Sequence, residues 1–180
     1  KLAQLLDPNF TDCRNFTYIS PYISVGALSP MFVYDEMIRS NLSQNKKRYE
    51  RLLTALLWRD YFRFMLKKYP NIYFKPNGFQ EDKNFSKELD SDAIRKWMNG
   101  TTGEELIDDT MAQLLQSGNL TYLNRRLLAS YYIQEISNNW LLGASFFEEH
   151  LLDYNPASNY GYWSHVAGVG TSDKENGASS

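Results

Sequence analysis

Apolar residues recur at three- and four-residue steps over most of the chain, with little sustained alternation, which predicts an all-α fold. Ser29-Pro30 has the form of an N-cap followed by Pro in the first turn, leading into a helix through MFVYDEMIRS. A second helix is predicted from about Ser43 to Tyr69, stopping before Pro70. Its apolar stripe is Leu52, Leu53, Leu56, Leu57, Phe62 and Met65, with Arg and Lys on the other side. Residues 70–90 carry Pro and Gly punctuation and read as a long loop. Asp92 is the expected opening of a short helix through Met98, closed by Asn99-Gly100. Further helices fit 103–117, 121–137 and 139–151. The run from Leu151 to Gly170, LLDYNPASNYGYWSHVAGVG, reads instead as a helix-poor, Gly-punctuated segment directly after an apolar helix. No internal repeat and no internal domain boundary is evident.

Aromatic residues change this picture. Thirteen Tyr, ten Phe and four Trp make up 15% of the 180 residues, enough to suggest a stacking pocket beside the ordinary alternative of a Tyr-rich core and surface. The net charge of −2 leaves no global basic footprint for nucleic acid. Residues 46–68 nevertheless hold Lys46, Lys47, Arg48, Arg51, Arg59, Arg63, Lys67 and Lys68 against only Glu50 and Asp60. Such a face can meet phosphates, or simply be a solvated helix face. A single cysteine, Cys13, rules out an intramolecular disulfide and a multi-Cys metal site. His150 and His165 lack ligand spacing, so no metal is expected. With no membrane-length apolar run and no signal peptide, the reading is soluble, intracellular and cytoplasmic. The chain opens at Lys1 without Met and ends in TSDKENGASS. The expectation is a fragment, with one helical domain over 1–170 and a polar tail over 171–180.

Four blocks carry candidate chemistry. In Thr17-Tyr18-Ile19-Ser20-Pro21-Tyr22, hydroxyls and backbone N–H groups at a turn before a helix suit a diphosphate; an ordinary Ser cap followed by Pro explains the same residues. In LLWRDYFRFMLKKYP, Trp58 and Arg59 point about 100° apart on a helix. Trp58 can therefore face a stacking partner while Arg59 reaches another group, the plain alternative being a core Trp beside a salt bridge to Asp60. From Trp97 to Met111, Asn-Gly ends one helix, Thr102 caps the next and Asp108 bonds inside. The fourth block, Asn139-Trp140 through Gly170, contains D-x-N-P-A-S-N-Y-G-x-W followed by A-G-V-G. Polar groups at this density are unfavourable to bury unless something binds there.

In order and spacing, these blocks resemble the FAD-binding helical domain of the photolyase/cryptochrome family, nearest its DASH-type branch. SPYISVGALSP is similar to the family's S-P-Y/W-L-x-x-G-x-L-S-P, which implies Thr17, Tyr18, Ile19 and Ser20 at the FAD phosphates, with Thr17 and Ser20 as ligands. Phe16 and Tyr18 stand where a second hydroxyl and a basic residue are usual. The W-R-D/E-[FY] helix implies Trp58 at a flipped pyrimidine pair and Arg59 on the flavin side, with Ala55 replacing an acid that contacts the lesion. Glu105 stands where Pro is usual. The register places Arg125 as the partner of Asp153 beside the isoalloxazine ring. Asp153 and Asn155 occupy the D-x-D/N that reads the ring and ribityl chain. Asn159 falls at the residue facing flavin N5, where a neutral amide suits a reduced anionic FAD. Trp163 and Trp140 match the first two members of a Trp relay; in place of the third the chain offers Phe85 at shifted spacing. Tyr122, Arg126 and His165 depart from the family's lesion-contacting set, and Asn119 lies where an aromatic is common. The resemblance covers nearly the whole chain but only the central part of the family's architecture. The resemblance implies an amino-terminal α/β antenna domain in the full-length protein and a further part of the helical domain, so the fold is expected to be incomplete at its C-terminal end.

The resemblance implies FAD as cofactor, no metal, and DNA carrying pyrimidine dimers as partner, single-stranded DNA being favoured because extrusion of the lesion costs less there. Light-driven repair of cyclobutane pyrimidine dimers by electron transfer from reduced flavin, a lyase activity, is the first reading. A non-repairing flavin photoreceptor is the second, since the flavin contacts persist where the lesion contacts change. A helical domain without flavin is the third.

Overall fold

The computed structural model describes residues 15–40, 45–80 and 90–171, with side chains from residue 19 onward. Its helices are α1 (Asn15–Ser24), α2 (Pro30–Arg39), α3 (Lys46–Lys68), α4 (Ser91–Asn99), α5 (Glu105–Ser117), α6 (Tyr122–Tyr131), α7 (Trp140–His150) and α8 (Pro156–Val166). A π-helical turn, Tyr132–Ile136, prolongs α6. No strand occurs among the described residues. The chain is all-α.

Local chemistry sets most of the ends. Ser29 Oγ accepts the Phe32 N–H at 3.0 Å, with Pro30 at the first position of α2. Asn45 caps α3 through Arg48 N–H; the expected start at Ser43 lies outside the described residues. The helix stops at Lys68 because Tyr69 precedes Pro70, whose ring disfavours the helical conformation of the residue before it. In its stripe Leu52 and Leu56 are buried, but Leu57 is 60% exposed, since one further residue turns the side chain about 100° off the buried line. Asp90, not Asp92, caps α4, its carboxylate accepting the Asp92 and Ala93 N–H groups at 3.0 and 3.1 Å. Asp92 sits instead in the first turn, paired with Arg95 and Lys96. Gly100 ends α4 at φ 64°, a left-handed position that suits glycine.

Three further expectations are corrected. Thr102 does not cap α5: Glu104 holds that position without a side-chain bond. Thr102 stands just before it, donating through N–H and Oγ1 to Asp108 and accepting the Glu104 N–H. The Thr17–Tyr22 block is not a turn ahead of a helix but lies inside α1, with Pro21 within the helix. Pro21 has no N–H, so the backbone carbonyl four residues earlier loses its helical donor. Most consequentially, the run after Leu151 is not helix-poor. Asn155 accepts Ser158 N–H as N-cap, Pro156 takes the first position, and α8 runs eleven residues through Gly161. Asn-Pro is a helix-start signal, and Gly161, which weakens a helix locally, is there for packing: a Cβ on it would lie 2.3 Å from Phe62 Cδ1.

The core falls into two clusters. The larger joins α4 to α8 and holds Trp97, Tyr132, Trp140, Phe147 and Trp163, all fully buried. The smaller holds Ile19, Ile23, Val33, Met37, Leu52 and Leu56 between α1, α2 and the first half of α3. Helix α8 packs against α3, α6 and α7, so the segment richest in candidate chemistry lies among three other helices.

Candidate cofactor site

Arg125 in the first turn of α6 and Asp153 in the loop before α8 meet across 28 residues of chain. The arginine Nη2 donates to both carboxylate oxygens, at 2.8 and 2.7 Å, and its Nε donates to the Leu120 carbonyl at 3.2 Å. The side chains are 22% and 9% exposed. A pair this dry is stable only when its remaining donors and lone pairs find partners, and Nη1 of Arg125 has none among the described residues. Asn155 spends its side-chain oxygen on capping α8. One turn on, Asn159 is buried and its amide donates to the Ala144 carbonyl of α7 at 2.8 Å. That bond fixes the orientation of the amide and leaves Oδ1 as the acceptor.

The other predicted positions divide into groups. Trp58, half-exposed, contacts Tyr61 and Phe62 at ring centroids of 5.4 Å and His165 at 6.4 Å. Trp58 and His165 thus share one aromatic patch, whose dent has a volume of only about 20 Å³. Tyr122 and Arg126 lie elsewhere, around Tyr162: the Tyr122 ring is 5.7 Å from it, and burial pushes the Tyr162 phenol well above its ordinary pKa. Arg59 is mostly buried and bonds its neighbour Asp60 at 2.9 Å. Burial, reinforced by Arg63, lowers its pKa, with Asp60 acting against them. Ile19 buries its side chain in the smaller core cluster, and its backbone lies inside α1. Ser20 is half-buried in α1. The side chains of Thr17 and Tyr18, and all of Phe85, lie outside the described residues.

Trp163 is fully buried, edge-on to Phe147, Tyr132 and Trp97 at 5.1, 5.8 and 6.3 Å. Its ring also lies against Gly143 of α7, where a Cβ would come within 2.3 Å. Trp140 stands one turn earlier on the same face of α7. Its indole N–H donates to the Pro76 carbonyl at 2.8 Å, and its ring meets Tyr160 at 6.3 Å.

Residues 52–177 match the FAD binding domain of DNA photolyase. The chain belongs to the photolyase/cryptochrome family. Cryptochrome DASH of tomato, chloroplastic/mitochondrial, is 38% identical over 162 residues, covering 88% of this chain and 28% of that protein. The crystal structure of a Synechocystis cryptochrome superposes with a TM-score of 0.78 at 36% identity, covering 84% of this chain and 31% of the other. A bacterial class III photolyase from Agrobacterium tumefaciens gives 0.77 at 26% identity, over 93% and 34%. The chain therefore spans about a third or less of the length of these relatives.

The donor set fits the family's cofactor. The guanidinium of Arg125 and the carboxylate held beside it offer donors and acceptors, and Asn159, bonded through its amide N–H to α7, adds an amide oxygen; neither the dent at Trp58 nor the larger cleft at the start of α8 is lined by any of the three. A planar heteroaromatic ring with alternating N–H, N and C=O groups needs that mixture. Two further features are not legible in the sequence. Gly143 and Gly161 each admit an aromatic ring into a helix face, and a Gly inside a helical pattern was the available signal. A cleft of about 390 Å³ opens between Ser24, Arg63, Leu66, Lys67 and the start of α8 at Asn155–Ala157; the basic run of α3 hinted at half of it. Among the described residues no helix is long and apolar enough to cross a membrane, and no cluster of three or more His, Cys, Asp or Glu is assembled.

Proposed function

We propose that this chain is the flavin-holding part of a DASH-type photolyase/cryptochrome, and that it serves light-driven repair of cyclobutane pyrimidine dimers in single-stranded DNA. The observation that carries the flavin reading is the Arg125–Asp153 pair, nearly dry, tethered to Leu120 and left with an uncommitted guanidinium edge. In this reading Arg125 and Asp153 hold the ring edge, the Asn159 oxygen faces the ring, and Arg59, Asn155, Ser20 and the first turn of α1, which includes Thr17, hold the rest of FAD. Bound FAD supplies the one-electron chemistry; the protein supplies position, exclusion of water and the electrostatics around the ring. Trp58 and His165 offer exposed faces for extruded bases, and Tyr122 and Arg126, around Tyr162, offer a second contact to the DNA.

One observation favours the second reading, a flavin photoreceptor that does not repair. The dent between Trp58 and His165 has room for about one water, so a pyrimidine pair can lie on it but not in it. The test is reconstitution with FAD, chemical reduction, and illumination with a single-stranded oligonucleotide carrying one dimer. Restored thymine absorbance that is absent in the dark supports repair. No restoration with reduced FAD bound eliminates repair and leaves the photoreceptor. A chain that stays colourless after incubation with FAD and desalting removes both.

A further inference from the structure

The buried end of the aromatic series is Trp163, and its neighbours lead in two directions. Toward Trp97 the path stops: that ring is fully buried, so a hole placed on it meets no reductant in solution. Along α7 the path continues. Trp163 lies on Gly143, and Trp140 stands one helical turn away on the same face, a rise of about 5 Å. Trp140 is also fully buried, but its ring meets Tyr160 at 6.3 Å with planes at 72°. Tyr160 is half-buried at the molecular surface, and its hydroxyl donates to Glu148 Oε2 at 2.8 Å. Glu148 is itself exposed.

We propose that Tyr160 is the outermost electron donor of this chain, with Glu148 as its proton acceptor. The proposal rests on the flavin reading above. A phenol that loses an electron becomes a very strong acid, so the loss is favourable only when a base is already bonded to the hydroxyl. Glu148 is that base. The balance is simple. Light-excited oxidised flavin is the ultimate acceptor of one electron, drawn from Trp163 and refilled from Trp140. Tyr160 gives one electron to the Trp140 cation, and its phenolic proton crosses the existing hydrogen bond to the Glu148 carboxylate. The neutral tyrosyl left at the surface is reduced by a thiol in solution, which supplies one electron and one proton. The position otherwise left to Phe85, a ring much harder to oxidise, is thereby filled by a residue from α8 itself.

The experiment uses the full chain loaded with FAD, checked first by its absorption after desalting. Blue light is applied without added reductant, and the protein radical is identified by electron paramagnetic resonance. The expected result is a tyrosyl spectrum in the parent chain, replaced by a tryptophanyl spectrum of shorter lifetime in Tyr160→Phe. Glu148→Gln keeps a hydrogen-bond acceptor but cannot take the proton, so the tyrosyl yield should fall several-fold while FAD loading is unchanged. Phe74→Leu, which alters the other ring against Tyr160 (4.9 Å between centroids), is the control for altered packing and should retain the tyrosyl signal. A tyrosyl spectrum that persists in Tyr160→Phe, or a parent chain that shows only tryptophanyl, overturns the proposal while leaving flavin binding intact. A chain that takes up no FAD overturns both.

Discussion

The Arg125–Asp153 pair is the least exposed ion pair among the described residues. Removing one member leaves the other buried and uncompensated, an effect of about 3–5 kcal/mol in comparable sites. Arg125→Met should therefore lower the unfolding free energy by about 3 kcal/mol, measured by urea titration. Arg125→Met/Asp153→Leu, which removes both charges, should recover most of that loss without restoring FAD uptake. If the single variant is as stable as the parent, the pair is not dry enough to matter. Asp108 shows the opposite balance of forces. Burial raises its pKa, but the Thr102 hydroxyl and the Thr102 and Gly103 N–H groups outweigh it, and the folded value lies below that of a free Asp. A depressed folded pKa means the stabilisation is present above the unfolded value, about 3.9, and disappears as pH falls through the folded one. The Tm difference between parent and Asp108→Asn should be largest near neutrality and shrink below about pH 4. A difference independent of pH would mean that the carboxylate charge plays no part. The Arg125–Asp153 pairing was readable in sequence only through the family register. Nothing local in a loop Asp and a helical Arg 28 positions away announces a contact, whereas Asp108 could be read from its Thr-Gly-rich surroundings alone.

At the level of elements, some boundaries are legible in the sequence, whereas the N-caps of α4, α5 and α8 and the packing are not. Ser29-Pro30, Asn99-Gly100 and the stop before Pro70 each announce a boundary through chemistry confined to a few neighbouring residues. Helix α8 is hidden in the sequence because its apolar residues do not form one stripe: it touches α3, α6 and α7, and a helix enclosed on several sides loses the amphipathic period. The glycines carry the information instead. Gly143 lets the Trp163 ring reach the backbone of α7, and that ring is hemmed in by Trp97, Tyr132 and Phe147. Gly143→Ala gains about 1 kcal/mol of helix propensity, but its methyl group would sit 2.3 Å from Trp163. Overpacking of this kind costs about 1–3 kcal/mol, and a ring that cannot swing aside places it at the upper end. The expected net loss is about 2 kcal/mol, with a changed tryptophan near-ultraviolet circular dichroism signal. A stabilised variant with an unchanged signal would show that α7 and α8 can separate freely.

Across the whole molecule, stability should be unequal between the two clusters. The cluster around Trp97, Trp140 and Trp163 draws on five helices and the π-helical turn, while the one around Val33 and Met37 is built by α1, α2 and half of α3. Outside that cluster, α1, α2 and the turn between them leave apolar residues in solvent: Val25 is 76% exposed, Met31 68%, Tyr22 57% and Ile38 51%. Such residues add little to burial while the backbone that carries them still bears the full cost of ordering, about 1–2 kcal/mol per residue. Opening α1 and α2 exposes six buried side chains; opening α6 to α8 exposes the three indoles and breaks the Arg125–Asp153 pair. Helices α1 and α2 should thus open as a unit at a free energy below that of global unfolding. Native-state hydrogen exchange should show their amides exchanging together, ahead of those of α6, α7 and α8. Because α3 lines the smaller cluster with its first half and packs on α8 with its second, the first half should follow α2, and the second, with Phe62 on Gly161, should follow α8. Equal protection along all of α3 would mean that the clusters unfold as one. That outcome would also bear on the cofactor: Ser20 and the first turn of α1 belong to the weaker unit, so bound FAD should slow exchange in α1 more than in α7.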